Sequence, residues 1–481
     1  MADARVSNIA GEVHAASPGE ARITVLAPEV HGASPGQAQI SVIALEVHSN
    51  LPSTSAAQVS IIVPEVHLSA NPMAMVSALY IEVHTSVKEA PMLVPPVLPN
   101  EAITERLEWM TDVITNYDGS EQRISIRPYP RRSFNYSYAI MNDEERRRFY
   151  SVYYQTAQIE IFAPAYPYQG YVQALAPQGE RDVYFNVSRS DLRPNDGVMF
   201  QLRDGTTFIY RVQDIYNDHI RIGRPLDVAI PKGSIAVPLF EARHSKDPSL
   251  GMLSVSGSSQ LTLNVVNVRQ NEAHPINPVT LPMFNGYVVL DRRPMAEGEA
   301  IDDFSAGMKS IDNGTAIPFF YSAWDQIYVG GVRQYLINKL VDWPEMQFWR
   351  TFLDYCRGQQ NPFLTPTYRE DLVLAPGQVL QQESITVAGL DYDQVYAEVP
   401  TYSRLEIETD MGIHRVVVAG VSRDEANTII TFQDAIPEDV TGATIVRISF
   451  LMLVRLASDA ATLIHRGTFS TVDLTIRAVK E

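Results

Sequence analysis

EERRRFYSVYYQTAQIEIFAPAY at 144–166 and PEMQFWRTFLDYCRGQQNPFLTPTY at 344–368 are the stretches around which this sequence is organised. Each sets an aromatic pair, Phe149-Tyr150 or Phe348-Trp349, about one turn ahead of a second cluster, Tyr153-Tyr154 or Phe352 and Tyr355. Spacings of i, i+3 and i+4 predict a helix with one buried aromatic stripe. A short apolar strand follows each helix, ending in Pro-Ala-Tyr166 or Pro-Thr-Tyr368. An alternating segment precedes each, RRSFNYSYAI at 131–140 or GGVRQYLINKL at 330–340. The local unit is strand, helix, strand.

Further matches follow in the same order. HIRIGRPLDVAIPKGSIAVPLFEARHSKD at 219–247 parallels TIITFQDAIPEDVTGATIVRISFLMLVRLASD at 428–459, and SSQLTLNVVNVR at 258–269 parallels STVDLTIRAVKE at 470–481. Ordered matches at a nearly constant offset imply duplication, with modules at 100–272 and 273–481. Period-two segments fill both modules, ERDVYFNVS and GVMFQLRDGTTFIYRVQDI in the first, DYDQVYAEVP and RLEIETDMGIHRVVVAGVSR in the second. Asp204-Gly205 and Met411-Gly412 mark hairpin tips. The expected fold is mainly β with α+β elements: two tandem duplicated β-barrel or sandwich modules, each with one aromatic-rich helix, preceded by short repeated β-strands.

The repeated strands occupy 1–88. ARVSNIAGEVH, ARITVLAPEVH, AQISVIALEVH, AQVSIIVPEVH and AMVSALYIEVH end at His14, His31, His48, His67 and His84. Within a unit the residues alternate, which predicts strands of up to about ten residues separated by Ala, Ser, Pro and Gly turns. A meander of such strands has little to bury, so the strip is expected to gain order by lying on the body, a neighbouring copy or another protein, by strand addition. Glu-Val-His puts a carboxylate and an imidazole on one strand face, a pattern two facing units would need to hold Zn²⁺. No unit holds two close ligands of a structural site, and the expectation is strand-end Glu and His facing solvent. KEAPMLVPPVLPN at 88–100 concentrates Pro91, Pro95, Pro96 and Pro99, and the stretch 89–99 reads as a stiff Pro-rich connector.

Bulk composition removes several function classes. The net charge of −18 opposes a surface made to coat phosphates, and stable nucleic-acid binding is not expected. One cysteine, Cys356, leaves no internal disulfide and no clustered-cysteine metal site. The opening MADARVSNIAGEVH lacks a secretory signal, and no apolar run is long enough for a membrane-spanning helix. No phosphate loop, HExxH, GxSxG or dinucleotide fingerprint occurs, so no catalytic, cofactor-binding or metal residues are assigned and no enzyme is expected. Asp196, Asp204, Asp214 and Asp218 sit in turns and at strand ends, where solvation is expected. Arg123, Arg127, Arg131 and Arg132 interleave with Tyr129 and Phe134 in EQRISIRPYPRRSF. Arginine with aromatics is the composition of a protein interface, and in an acidic chain an acidic neighbouring copy is the expected partner.

ERLEWMTDVITNYDGSEQRISIRPYPRRSFNYSYAI at 105–140 resembles the opening of a family of bacteriophage virion proteins, and FWRTFLDYCRGQQNPFLTPTYREDL at 348–372 resembles the aromatic helix and strand recurring in tail proteins near the distal end. The N-terminal units are similar to short repeats of phage structural proteins. The resemblance implies a tail structural protein, distal or tube-associated, in the virion after assembly in the host cytoplasm. It implies partners that are copies of itself in a ring, sixfold or twelvefold, and other phage tail proteins, with no cofactor. The alternative is a receptor- or carbohydrate-binding tail-tip protein, with Trp109, Tyr166, Tyr168 and Tyr171 stacking on sugars, or, more remotely, a tail-associated hydrolase.

Overall fold

The structure is a computed structural model. It describes residues 102–140, 143–157, 159–252, 259–269, 278–295, 301–314, 317–322, 324, 328–338, 343–467 and 469–480, with eight short strands ahead of them. The chain is mainly β, 54% strand and 12% helix. It divides into two compact units, 1–94 with 149–163, and 95–148 with 164–481. No described helix is long and apolar enough to cross a membrane.

Eight short strands are described in the repeat strip. Its strands are β1 Val6–Ser7, β2 Val13–Ala15, β3 Ile23–Val25, β4 Gln39–Ser41, β5 Val47–Ser49, β6 Val59–Ile61, β7 Met75–Val76 and β8 Val83–Thr85. They pair in parallel as β1-β4-β7, β2-β5-β8 and β3-β6. Val6 lies opposite Ile40 and Ile40 opposite Val76, while Ile23 lies opposite Val59. Each unit therefore pairs with the unit two places along, not with its neighbour as a meander requires. A path that returns after two units sets like sequence on like sequence. His14, His48 and His84 share one register row. His31, His67 and the 89–99 connector lie outside the described residues.

From residue 103 most strands build one large antiparallel sheet, and the strand pairs at 283–288 and 308–322 form two separate two-stranded sheets. The first half carries β9 Ile103–Thr115, β10 Glu121–Ile140, α1 Asp143–Thr156, β11 Ile161–Pro164, β12 Gly170–Tyr171, β13 Asp182–Tyr184, β14 Gly197–Gln201, β15 Thr207–Ile215, β16 His219–Ile222, β17 Ile235–Met252 and β18 Ser259–Asn267. After β19 Met283–Phe284 and β20 Tyr287–Val288 come β21 Ile301–Ser305, β22 Met308–Ile311, β23 Phe319–Ser322, β24 Tyr328–Asn338, α2 Trp343–Cys356, β25 Phe363–Pro366, β26 Ser384–Ala388, β27 Arg404–Thr409, β28 Gly412–Asp424, β29 Asn427–Phe432, β30 Ile445–Leu456, β31 Ala460–Arg466 and β32 Phe469–Ala478.

In the first half the pairing runs β9-β10-β18-β17 and then β17-β14-β15-β16-β13. In the second it runs β21-β24-β32-β30 and then β30-β27-β28-β29-β26. β31 pairs with both β32 and β9 and so connects the halves. The hairpins expected at Asp204-Gly205 and Met411-Gly412 are the β14-β15 and β27-β28 turns, with Gly205 at φ 85.

Alternation explains the strands with one buried face: β18, SQLTLNVVN, buries every second residue. β30 is buried along both faces from Arg447 to Leu456, with a continuous apolar run from Phe450 to Val454. The core of the first half gathers Val183, Phe185, Val198, Phe200, Tyr210 and Ile220. DYDQVYAEVP is not a strand. Gly389, at φ 81, lies just past the end of β26, and Tyr392–Tyr396 and Pro400–Tyr402 form short helical turns. Tyr392, Tyr396 and Tyr402 gather on Phe450 with ring centroids 6.2, 5.1 and 4.7 Å away, a packing that local alternation does not reveal.

In α2, Pro344 lies in the first turn, where its missing N–H is harmless. Phe348, Trp349 and Phe352 are buried, Trp349 lying 4.7 Å from Tyr335 of β24 and Phe352 4.9 Å from Phe363 of β25. In α1 the stripe is narrower: Phe149 is buried and stacks 5.9 Å from Tyr153, whereas Tyr150 and Tyr154 are exposed.

Candidate functional site

The densest group of ionisable side chains in the described body is sealed inside it. β9 alternates Ile103, Glu105, Leu107 and Trp109 toward the interior, so a carboxylate occupies a core position. An unpaired charge there is prohibitive, and the fold surrounds it with donors. Arg132 Nε of β10 donates to Glu105 Oε1 at 2.7 Å, and the Tyr168 hydroxyl donates to Oε2 at 2.8 Å. His465 Nε2 of β31 lies 2.9 Å from Oε2. Since an ionised carboxylate only accepts, Nε2 carries the proton, and Nδ1 lies 2.7 Å from Ser470 Oγ. Arg350 Nη1 of α2 donates to the Tyr168 hydroxyl at 2.7 Å and lies 3.2 Å from Asp191 Oδ2, to which Arg132 Nη1 also donates.

Glu105 and Asp191 thus balance Arg132 and Arg350. Both guanidiniums also approach the Tyr168 ring, at 5.0 and 5.4 Å from its centroid. Burial pushes the Glu105 carboxyl up, but Arg132, the His465 hydrogen bond and Arg350 outweigh it and hold the group well below its ordinary value. Burial pushes the Tyr168 hydroxyl up and keeps it a neutral donor. A carboxylate so enclosed, already accepting three hydrogen bonds, is out of reach of substrate. What it can do is fix geometry: Glu105, Arg132, Tyr168 and Asp191 come from the first half, Arg350 and His465 from the second.

Two further contacts tie the halves together. Arg455 of β30 donates from Nε and Nη2 to the Glu121 carboxylate at 2.7 and 2.8 Å, and from Nη1 to Gln359 at 2.9 Å. Asp459, just before β31, accepts from Trp109 N at its backbone oxygen at 2.9 Å, and its carboxylate accepts from Thr111 N at 2.7 Å. Gly358 lies under this turn at φ 66, where an added Cβ would stand 3.1 Å from Trp109 Cβ.

The arginine-aromatic segment is divided by the structure. Arg132 and Phe134 are buried, Phe134 4.9 Å from Phe240, while Arg123, Arg127 and Tyr129 are half-buried and Arg131 is exposed. Arg127 Nη1 donates to the Glu108 carbonyl at 2.9 Å. The register of β10 shifts between Arg127 and Arg131, beside Pro128 and Pro130, and inward parity passes from odd residues to even ones. Strict alternation cannot anticipate that switch. Asp204 and Asp218 are exposed in turns, whereas Asp196 is buried, with Arg193 N donating to it at 2.9 Å. Cys356 closes α2, and burial pushes its thiol well up. Of the candidate sugar-stacking rings, Trp109, Tyr166 and Tyr168 are buried and only Tyr171 is exposed, which leaves no shared aromatic platform.

Glu105, Asp191, Arg350 and His465 escaped the sequence reading. The available signal was Glu105 itself, a charge at an inward position of an alternating apolar strand, and Arg350 directly after Trp349 in the aromatic helix. Among the described residues no group of three or more His, Cys, Asp or Glu is placed to hold a metal ion. Comparison with protein-family models gives no match, and comparison with curated proteins gives none either.

Proposed function

We propose that this chain is a non-enzymatic structural subunit of a bacteriophage tail. It consists of two diverged copies of one β-rich module, 100–272 and 273–481, behind the repeat strip 1–88 and the connector 89–99. The subunits form a symmetric ring or sleeve, sixfold or twelvefold, that holds neighbouring tail proteins in the virion after assembly in the host cytoplasm. The observation that carries this reading is that both halves use the same order of strand pairing. The phage assignment rests on the likeness of 105–140 and 348–372 to virion proteins. The charged residues at the centre of the body support an architectural role, since they are consumed in joining its halves.

Electron microscopy of the purified full-length protein, and immunolabelling of particles, tests the proposal. Closed rings and label on the tail are expected. A monomer at every concentration, with particles that carry no label, overturns it.

A further inference from the structure

The joint between the two halves has a counterpart that the chain leaves unused. Within the chain, β31 lies antiparallel on the outer edge of β9, with Thr462 opposite Arg106 and Ala460 opposite Glu108. Tyr136 of β10 and Tyr335 of β24 fix the correspondence between the halves, since both are buried and lie opposite Leu263 of β18 and Val472 of β32. Counting along the ladders from these residues, Ile301, Asp303 and Phe304 of β21 hold the places of Arg106, Glu108 and Trp109 of β9. On the other flank, Lys246 lies opposite Asn264 as Thr462 lies opposite Asp473, so the distal part of β17 holds the place of β31.

Among the described residues no strand fills either of the two places left over. Among the described residues β21 pairs with β24 alone, and Lys246–Met252 of β17 pairs with β18 alone. Trp109, beneath the filled joint, is 2% exposed, whereas Phe304 is 72% exposed. Thr462 and Ile464 of β31 are half-buried, whereas Lys246 and Ser249, which hold their places, are exposed. If the operation carrying one half onto the other had closed after two steps, β17 would lie on β21 in the same chain. Among the described residues it does not, and the same operation carried one step further leads to another molecule, as heterologous contacts do.

We propose that β21 of one chain pairs antiparallel with Lys246–Met252 of β17 in a second copy, head to tail. Lys246 then stands opposite Ile301, and Phe304 is covered as Trp109 is. Opposite charges assist: Lys246 meets the strand that carries the exposed Asp303. The inference rests on the two-module reading above and specifies which surfaces close the ring.

The full-length chain carrying Lys246→Cys and Ile301→Cys tests it. Antiparallel partners stand roughly 4.5–5.5 Å apart at Cα, within disulfide range. Cys356 is buried and does not compete. Mild oxidation should give a ladder of covalent dimers, trimers and higher species on a non-reducing gel, while each single variant gives nothing beyond a dimer. Phe304→Asp should weaken self-association at least tenfold in sedimentation and leave the melting temperature unchanged. Rings seen by microscopy without a ladder overturn this interface and leave the ring reading standing. A cross-link confined to a faster-running monomer also overturns it. A chain that stays monomeric and gives no ladder overturns both.

Discussion

Replacing Glu105 with Gln removes one charge from the sealed cluster and keeps its shape. The amide still accepts from Tyr168 or Arg132, but Arg132 and Arg350 are left, buried, to share Asp191 alone. Breaking a buried ion pair by neutralising one partner costs about 3–5 kcal/mol. With a urea m value of about 3 kcal/mol/M for a chain this long, the unfolding midpoint should fall by about 1–1.7 M. Tryptophan fluorescence reads the transition near the cluster, since the Trp343 ring lies 6.0 Å from Tyr168. Glu180→Gln, at an exposed position, is the control, and an ordinary surface change of up to about 0.5 kcal/mol moves the midpoint by only about 0.2 M. A Glu105→Gln shift no larger than the control's would refute the idea that this cluster holds the halves together.

The same carboxyl sets a pH dependence. Its folded pKa lies below the unfolded value, so its contribution is fully present above the ordinary 4.5 and is lost as pH falls through the depressed folded value. The stability gap between the wild type and Glu105→Gln should therefore narrow on acidification below about 4.5, and a constant gap in urea titrations would contradict this. Cys356 should resist a thiol reagent in the native protein and react at one thiol per chain in urea, because burial pushes its thiol well above 9.0; rapid native labelling would show the end of α2 to be open. Gly358→Ala and Gly377→Ala both force alanine to positive φ, at 66 and 77, at about 1–2 kcal/mol each. Only the former also presses on Trp109 and Asp459, so it should melt lower than Gly377→Ala, and equal melting would place the Trp109 turn outside the joint.

Part of this architecture is legible from local spacing. The helical period around Phe348, Trp349 and Phe352 marked a buried stripe, because 3.6 residues per turn brings those side chains onto one face. The alternation of SQLTLNVVN marked a strand with one buried face. Apolar periodicity is written into the chain, since each element must hide one face whatever it packs against. The same logic misread DYDQVYAEVP, where the partner ring, Phe450, lies some fifty residues away.

The repeat strip and the ionic cluster show the other side. Five like units announced themselves in the sequence, but whether each pairs with its neighbour or with the unit beyond is a matter of chain path, and parallel stacking at two-unit spacing appears only in three dimensions. Glu105 and His465 stand 360 positions apart and meet because β31 crosses onto the edge of β9. The inward turn of Arg132 depends on a bulge that reverses strand parity. By itself the sequence determined which residues had to be buried in periodic elements, because that is a property of short segments. Tertiary structure alone decided which charges neutralise one another and which strands pair, because pairing energy depends on distances between segments that the chain's order does not specify.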